Sequence, residues 1–176
     1  INDLGPAQAD DFGAGVANAA LFNDGAGIGS QNGSIEYLGD VDWHALNLKA
    51  NEIYNVDLVS IGEAGLEDPY LKLFDSDGKL IASNDDGGIG GNARLRYAVQ
   101  EANTFFVEAS GYNNQKIGDY TLSIAQIDRS FDIAADTNTH VSLIVGASFS
   151  GELEFEGDRD WISVALQEGK TYKASL

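Results

Sequence analysis

The stretch "GDVDWHALNLKANEIYNVDL", Gly39–Leu58, sets the period that much of the chain follows. In its last six residues, apolar Tyr54, Val56 and Leu58 alternate with polar residues. Successive side chains of a β-strand point to opposite faces, so this alternation predicts a strand with one face in a core and one in water.

The same alternation recurs in "RLRYAVQ" and "DYTLSI" further along the chain. Additional strands are predicted at 34–38, 43–48, 70–75, 80–84 and 104–110. Turn residues (Gly, Asn and Asp) separate these runs at the spacing typical of sandwiches. The sequence therefore predicts an all-β fold in which the first part of the chain forms about eight short strands at sandwich-like spacing.

A self-comparison reveals an internal repeat. "GSIEYLGDVDWHALNLKANEIYNVDL", starting at Gly33, aligns without a gap to "GELEFEGDRDWISVALQEGKTYKASL", starting at Gly151. The identical pairs are Gly33/Gly151, Glu36/Glu154, Gly39/Gly157, Asp40/Asp158, Asp42/Asp160, Trp43/Trp161, Leu48/Leu166, Tyr54/Tyr172 and Leu58/Leu176. We predict one complete unit over 1–127 and the first half of a second over 128–176, either truncated or completed by a partner. The chain is expected to be part of a longer protein.

The charge of the chain restricts its partners. It has 28 acidic and 10 basic residues, a net charge of −18, which repels nucleic acid and anionic membrane surfaces and favours cations. No apolar run approaches the roughly 18 residues that a membrane span needs, so no membrane insertion is expected. Cysteine is absent, which excludes thiolate chemistry.

The start of the quoted stretch, "GDVDW", carries a first carboxylate pair. Strand alternation puts Asp40 and Asp42 on one face with Val41 opposite, so their oxygens converge on a possible metal site. The pair recurs as "GDRDW" in the second copy. The alternative is a solvated strand start at which aspartates cap backbone amides, and the sequence leaves both open.

A second acidic region lies in "LEDPYLKLFDSDGKLIASNDDGGIGGN", Leu66–Asn92. Adjacent carboxylate and amide oxygens repel each other unless water or a cation satisfies them, and Ca²⁺ takes six to eight such ligands. If the two loops lie at one end of the sandwich, one calcium site is predicted there. Its candidate ligands are Asp68, Asp75, Asp77, Asn84, Asp85 and Asp86. The alternative is that these residues only form tight turns.

The sequence does not favour an enzyme. Its two histidines, His44 and His140, lie near no "GxSxG" elbow, and no "HExxH" motif occurs. The polar tip "GYNNQKIG" is a candidate ligand-binding loop through Tyr112, Asn113 and Asn114, with an ordinary surface loop as the alternative.

The ordered set "GDVDWHALNLKANEIYNVDL", "DPYLKLFDSDGKLIASNDDGG", "ARLRYAV", "TFFVEASGY" and "GDYTLSI" resembles the bacterial pre-peptidase C-terminal domain. The resemblance covers nearly all of 30–127 and begins again in 130–176. It implies a jelly-roll-like antiparallel β-sandwich, noncatalytic and attached to adjacent domains of a secreted or cell-surface bacterial protein. The chain is also similar to collagen-binding domains of collagenases and to modules of calcium-dependent adhesins.

By similarity to the collagen-binding relatives, Asp10 and Asp11 are expected to share Ca²⁺ with the segment around Asp40 and Asp42. The expected function is a calcium-stabilised extracellular accessory module that serves export, processing or attachment to a protein or polysaccharide. The alternative is a peptide-binding module of a calcium-dependent adhesin.

Overall fold

The structure is a computed structural model that divides the chain into two compact units, 1–127 and 128–176. It describes residues 9–25, 27–127, 133, 137, 139–151, 153 and 159–176, and at residues 24 and 25 the backbone alone. Within these residues, no helix has the length and apolarity needed to cross a bilayer. Each unit is described by itself below.

The described part of the first unit is built from short strands and three single turns of 3-10 helix. The strands are β1 (Ala20–Leu21), β2 (Gly29–Ile35), β3 (Asp42–Leu48), β4 (Glu52–Ser60), β5 (Pro69–Phe74), β6 (Leu80–Asn84), β7 (Ala93–Val99), β8 (Asn103–Gly111) and β9 (Gly118–Ile127). The 3-10 turns are Val16–Asn18, Phe22–Gly25 and Tyr112–Asn114. Seven of the eight predicted strands are present, as β3 to β9. The strand predicted at 34–38 is wrong in its bounds, because β2 ends at Ile35 and residues 36–41 form a connection.

The strands form two sheets. One has the order β1-β3-β8-β5-β6 and the other β2-β9-β4-β7. Every pairing is antiparallel except the short parallel contact of β1 with β3. The predicted antiparallel β-sandwich is therefore confirmed.

The core lies between the sheets and follows the alternation of the sequence. Tyr54, Val56 and Leu58 of β4 are buried, as predicted, and pack with Leu46 and Leu71 from the facing sheet. Burying a side chain of this size contributes about 1.5–3 kcal/mol, so these inward-facing residues hold the two sheets together.

Strand β3 is buried on both faces. Trp43 and Ala45 point away from the main core and pack with Phe106 and with Ala19 of the N-terminal segment. The Trp43 ring stacks on Phe74 with a centroid distance of 4.4 Å. Trp43 is therefore an anchor for the segment that crosses the outer face of this sheet.

Four connections lie at one end of the sandwich, which we call the loop end. Each links a strand that ends there to a strand that begins there: 36–41, 61–68, 85–92 and 112–117. The register supports this, because the start of β3 pairs with the end of β8 and the end of β2 pairs with the start of β9. Connections 22–28, 49–51, 75–79 and 100–102 lie at the opposite end.

The second unit has two short strands among its described residues, β10 (Ser142–Leu143) and β11 (Ser163–Val164), which pair in parallel. Trp161 and Leu166 are exposed, although their equivalents in the first copy of the repeat, Trp43 and Leu48, are buried. The repeated sequence therefore lies in different surroundings in the two units.

The core assignment predicts the effect of a truncation in β3. Leu46→Ala should lower the free energy of unfolding by about 2–5 kcal/mol, because it removes buried methyl groups and leaves a cavity. Urea denaturation of the full chain measures this loss. As the matched control, Leu80→Ala, at a half-exposed leucine, should stay within about 0.5 kcal/mol. Equal losses in the two variants would contradict the assignment.

Candidate metal centre

Four carboxylates meet at the loop end. One oxygen from each of Asp10, Glu36, Asp40 and Asp42 lies within 4.8 Å of the others. Asp40 and Asp42 are buried, Glu36 is half-buried and Asp10 is exposed. Among the residues that the structure describes, no other such group of three or more His, Cys, Asp or Glu side chains occurs. We call these four residues the carboxylate cluster.

A tight turn brings two of the cluster residues together. The backbone N–H of Asp40 donates to the Tyr37 carbonyl at 3.1 Å, and Gly39, the third residue of the turn, has φ 93°. Because a type II turn requires a positive φ at this position, glycine is the residue that fits. The turn reverses the chain between β2 and β3, so that Glu36 and Asp40 face each other.

Backbone amides hold the Asp40 side chain in place. Its Oδ2 accepts from the N–H of Glu36 and its Oδ1 from the N–H of Val41, both at 2.9 Å. Asp40 therefore lies in the turn and not in the strand, since β3 begins at Asp42. The predicted convergence of Asp40 and Asp42 comes from the turn as well as from strand alternation.

A hydroxyl from the facing sheet reaches Asp42. The Tyr120 hydroxyl of β9 donates to Asp42 Oδ2 at 2.6 Å, and His44 Nε2 lies 3.2 Å from the same hydroxyl. Because the phenol donates its one proton to the carboxylate, His44 must carry its proton on Nε2. This buried chain of three side chains crosses from one sheet to the other.

The N-terminal segment packs beside the three hydrogen-bonded side chains of Asp42, Tyr120 and His44. Asp11 Oδ2 accepts from the N–H of Ser34 at 3.1 Å, and the Phe12 ring packs on the His44 ring with centroids 4.6 Å apart. At Gly33, a Cβ atom would lie 2.4 Å from the Tyr120 hydroxyl oxygen. A side chain at that position would displace either the tyrosine or the strand.

The electrostatics of the cluster oppose its ionisation. Burial raises the pKa of Asp42 from 3.8 to about 8, against the Tyr120 hydrogen bond, which lowers it. Burial also raises the pKa of Glu36 from 4.5 to about 7, with a further increase from its interaction with Asp40. The pKa of Asp11 is raised in the same way, first by burial and then by Asp40 and Asp10. The groups thus favour protons, or another cation, at neutral pH.

The two neighbours of Asp42 titrate outside the neutral range. Burial lowers the pKa of His44 to about 4, so its imidazole is neutral. Burial, together with the charge of Asp42, raises the pKa of the Tyr120 phenol. At the surface, the pKa of the exposed Tyr37 phenol is also raised, chiefly by the charge of Asp40. The negative potential of the cluster therefore extends to the exposed side chain of Tyr37.

Two carboxylate oxygens of the cluster have no hydrogen-bond partner among the residues that the structure describes. They are Asp42 Oδ1 and Glu36 Oε2, and both are inaccessible to solvent. Buried polar atoms of native proteins are nearly always paired, because an unpaired one costs about 1–3 kcal/mol or more when charged. Hard oxygen donors in this number are what Ca²⁺ and similar cations bind, so the cluster could hold such an ion.

The structure brings together part of the set that the sequence suggested. Asp10, Asp40 and Asp42 are in the cluster, while Asp11 lies beside it and binds a backbone amide. Glu36 was not predicted. The signal for it is in the repeat, where Glu36 aligns with Glu154. That these residues bind calcium stays a prediction.

One calcium site shared by the two acidic loops is ruled out, because its candidate ligands lie at both ends of the sandwich. Asp75 and Asp77 follow the end of β5 at the opposite end of the sandwich, whereas Asn84 pairs with Leu71 near the loop end. At about 3.3 Å per residue, the intervening strand separates the two groups by more than about 10 Å, too far for one ion. Asp68, Asn84, Asp85 and Asp86 do lie at the loop end.

Hydrogen bonds within the turns account for two of these residues. Asp75 Oδ1 accepts from the N–H groups of Asp77 and Lys79 at 3.0 and 2.9 Å, which closes the β5–β6 hairpin. Asn84 Oδ1 accepts from the N–H of Gly87 and so shapes the next loop. Both residues have a structural role that needs no ion.

The predicted ligand-binding tip is a 3-10 turn at the loop end. Tyr112 is exposed, and its ring meets the edge of Tyr70 with centroids 5.8 Å apart. Asn113 and Asn114 both have positive φ, which asparagine tolerates better than most residues. The tip displays an aromatic ring, and ligand binding by it stays a prediction.

One family model matches the central part of the chain. Residues 40–111 match the model of the bacterial pre-peptidase C-terminal domain. No curated protein matches the chain.

Two solved structures are similar to the chain. The pre-peptidase C-terminal domain of a collagenase from Bacillus anthracis has 13% identity and a TM-score of 0.45, over 56% of this chain and 89% of that one. PliG from Aeromonas hydrophila, a periplasmic inhibitor of g-type lysozyme, has 16% identity and a TM-score of 0.44, over 62% of this chain and 96% of that one.

The raised pKa of Asp42 predicts a pH dependence in the presence of a chelator. Between about pH 4 and pH 8 the folded state keeps a proton that the unfolded state has released, so the free energy of unfolding should fall as pH rises. Denaturant titrations across this range measure the slope.

Asp42→Asn should flatten this slope, whereas Asp85→Asn, at an aspartate outside the cluster, should keep it. If the chelated wild-type protein becomes more stable from pH 5 to pH 8, the buried acid is not protonated as described.

Proposed function

From the match of residues 40–111 to the bacterial pre-peptidase C-terminal domain, we propose that the first unit is a calcium-stabilised accessory and binding module. Pre-peptidase C-terminal domains are noncatalytic modules of secreted bacterial proteins. The proposed module is extracellular, secreted or at the cell surface, and serves the export, processing or attachment of a larger protein.

The observation that carries the calcium proposal is the pair of unpartnered oxygens, Asp42 Oδ1 and Glu36 Oε2. A divalent ion between them would satisfy both atoms at once, and its positive charge would offset the burial that raises their pKa values. Asp10 and Asp40 would supply further oxygens.

The spacing of the cluster suits calcium. Oxygens on opposite sides of one Ca²⁺ are about 5 Å apart, since each binds at about 2.3–2.6 Å, and the four donors lie within 4.8 Å of one another. Mg²⁺ binds at about 2.0–2.1 Å and requires a tighter octahedron with several waters. Extracellular modules that bind Ca²⁺ at about 10⁻⁴–10⁻³ M use acidic sites of this kind.

An ion in the cluster would also fasten the N-terminal segment. Asp10 comes from that segment, and the next two residues, Asp11 and Phe12, already contact Ser34 and His44. Coordination of Asp10 would add a link to these two contacts. The ion would thus join the N-terminal segment, the turn at 36–41 and β3.

We extend the proposal to the second unit as the opening half of another copy. The N–H of Gln167 donates to the Tyr172 hydroxyl at 3.1 Å, as the N–H of Lys49 donates to the Tyr54 hydroxyl at 3.2 Å. Each member of one pair is aligned with a member of the other in the gapless repeat. The shared hydrogen bond supports a shared fold at this corner.

The two copies also share a positive φ angle at this corner. Asn51 has φ 58°, and Gly169, the residue aligned with it, has φ 75°. Both sit in the left-handed region, where asparagine and glycine are favoured. The repeat therefore extends from sequence to local conformation.

A calcium titration of the full chain tests the ion site. The melting temperature of the wild-type protein should rise with calcium, because binding to the folded state alone stabilises it by about 2.7 kcal/mol at an ion concentration of 100 Kd. Asp40→Asn with Asp42→Asn should abolish the rise. Differential scanning calorimetry in calcium and in chelator measures it.

The acidic loop supplies the matched control. Asp85→Asn with Asp86→Asn removes the same charge from the same end of the sandwich and should leave the calcium response unchanged. If this second variant abolishes the response and the first retains it, calcium binds in the 85–92 loop and the cluster proposal is wrong.

A further inference from the structure

The loop end displays large apolar side chains to solvent. They are Tyr37 (50% exposed), Leu38 (69%), Ile89 (86%), Tyr112 (41%) and Ile117 (50%). Single exposed apolar residues are ordinary, but several at one end of a small domain indicate an interaction site. Tyrosine in particular is enriched among the residues that contribute most to binding energy.

The opposite end of the sandwich differs. Its connections at 49–51, 75–79 and 100–102 contain no large apolar residue at all. The remaining connection, 22–28, exposes Ile28, and Leu80 is exposed where β6 begins. Val16 and Leu21 of the N-terminal segment are exposed as well. Among the described residues of the first unit, the loop end therefore exposes five large apolar side chains, two of them tyrosines, whereas the four exposed elsewhere are all aliphatic.

Backbone hydrogen bonds join three of the connections at the loop end into one surface. The N–H of Gly39 donates to the Asn114 carbonyl at 2.9 Å, which ties 36–41 to 112–117. The N–H of Tyr112 donates to the Asp68 carbonyl at 2.8 Å, which ties 112–117 to 61–68. Exposed side chains on such linked loops lose less freedom on binding than those on separate loops.

The charge of this end is strongly negative. Its four connections carry seven acidic residues and one lysine, Lys116, which forms an ion pair with Glu67 at 3.0 Å. The connections 49–51, 75–79 and 100–102 at the other end carry three acidic residues and two lysines. A bound Ca²⁺ would offset only two of the charges, so the loop end stays negative with or without the ion.

We propose that the loop end is a docking surface for a polypeptide segment that combines basic with apolar side chains, and that Tyr37 and Leu38 are central to it. Apolar side chains of the partner cover the turn at 36–41, and its lysines or arginines face the surrounding carboxylates. Charge complementarity of this kind selects partners and speeds their association.

A lipid surface fits the same end less well. Anionic headgroups would be repelled by the seven acidic residues unless an exposed cation bridged them. The cluster offers no such bridge, because Asp40 and Asp42 are buried and an ion between them lies largely below the surface. The chemistry therefore favours a cationic polypeptide over a phospholipid.

This inference deepens the binding role in the proposed function and rests on it. Within the turn at 36–41, Tyr37 and Leu38 lie between two cluster residues, Glu36 and Asp40. An ion in the cluster would hold both ends of this turn. Docking is therefore expected to be tighter in calcium than in chelator, without depending on direct contact with the ion.

Fluorescence anisotropy with defined peptides tests the surface on the full chain. The probes are three labelled peptides of equal length on a glycine–serine background: one with lysine and leucine, one with lysine and serine, one with glutamate and leucine. We expect the lysine–leucine peptide to bind at least about fivefold more tightly than the other two, as expected when apolar contacts and charge both contribute.

The variants locate the binding. Tyr37→Ser with Leu38→Ser should weaken binding of the lysine–leucine peptide at least about fivefold, since removal of a central interface side chain costs more than about 1 kcal/mol. Leu80→Ser, at a half-exposed leucine of the opposite end, is the matched control and should leave binding unchanged. Both sites are exposed, so neither change removes core packing.

Four results would overturn the inference. They are equal binding of the lysine–serine peptide, which indicates charge alone; preference for the glutamate–leucine peptide; equal weakening by Leu80→Ser; and stronger recruitment to phosphatidylserine vesicles than to the peptide, lost with Tyr37→Ser and Leu38→Ser. The last result would assign this end to membranes.

Calorimetry on the same samples separates this inference from the proposed ion site. If calcium raises the melting temperature but no peptide prefers the loop end, the docking surface is wrong and the ion site stands. If the peptide binds as expected while calcium changes nothing, the ion site is wrong and the docking surface stands.

Discussion

The first unit depends on one hydrogen bond between its sheets, from the Tyr120 hydroxyl to the Asp42 carboxylate. It sets an ionisable group at the inner face of a sandwich, where most side chains, apart from those of Asp42 and His44, are apolar. Such a group is tolerated only where its oxygens find partners. Tyr120 supplies a partner for one oxygen, and the other, Oδ1, has none in the described part of the chain. The need for a partner at Asp42 Oδ1 therefore determines what the loop end is suited to bind.

Two opposing effects act on Asp42, and their balance indicates what the cluster is suited to bind. The hydrogen bond from Tyr120 favours the charged carboxylate, and burial disfavours it. Burial prevails, since the pKa is raised to about 8. Asp11, Asp40 and Glu36 add repulsion that raises the pKa further. A divalent ion is the partner that reverses the balance, because its attraction acts on all four carboxylates at once.

The sequence was sufficient for the strands and for part of the cluster. Period-two alternation located β3 to β9, because burial of one sheet face imposes that pattern directly on the residues. It did not locate β2, which begins at Gly29 and ends at Ile35. It was not sufficient for Glu36, which joins the cluster only because the turn closed by Tyr37 and Asp40 reverses the chain. The repeat held the missing signal, in the identity of Glu36 with Glu154.

The acidic loops illustrate a different limit. The sequence "DSDGKLIASNDDGG" does not show whether its two acidic groups lie together or a strand apart. Only the pairing of β5 with β6 shows that they lie at opposite ends of β6. Register depends on partners distant in sequence, which a single sequence does not display.

The same topology places the carboxylate cluster and the exposed apolar side chains at one end of the first unit. All four connections of the loop end join one sheet to the other, and the turn at 36–41 contributes both to the cluster and to the exposed apolar surface. The N–H of Gly39 also donates to the carbonyl of Asn114, which links that turn to the Tyr112 tip. In the proposed function, an ion that held Glu36 and Asp40 would therefore also hold the surface above them. Stability of the module would then be coupled to its capacity to bind.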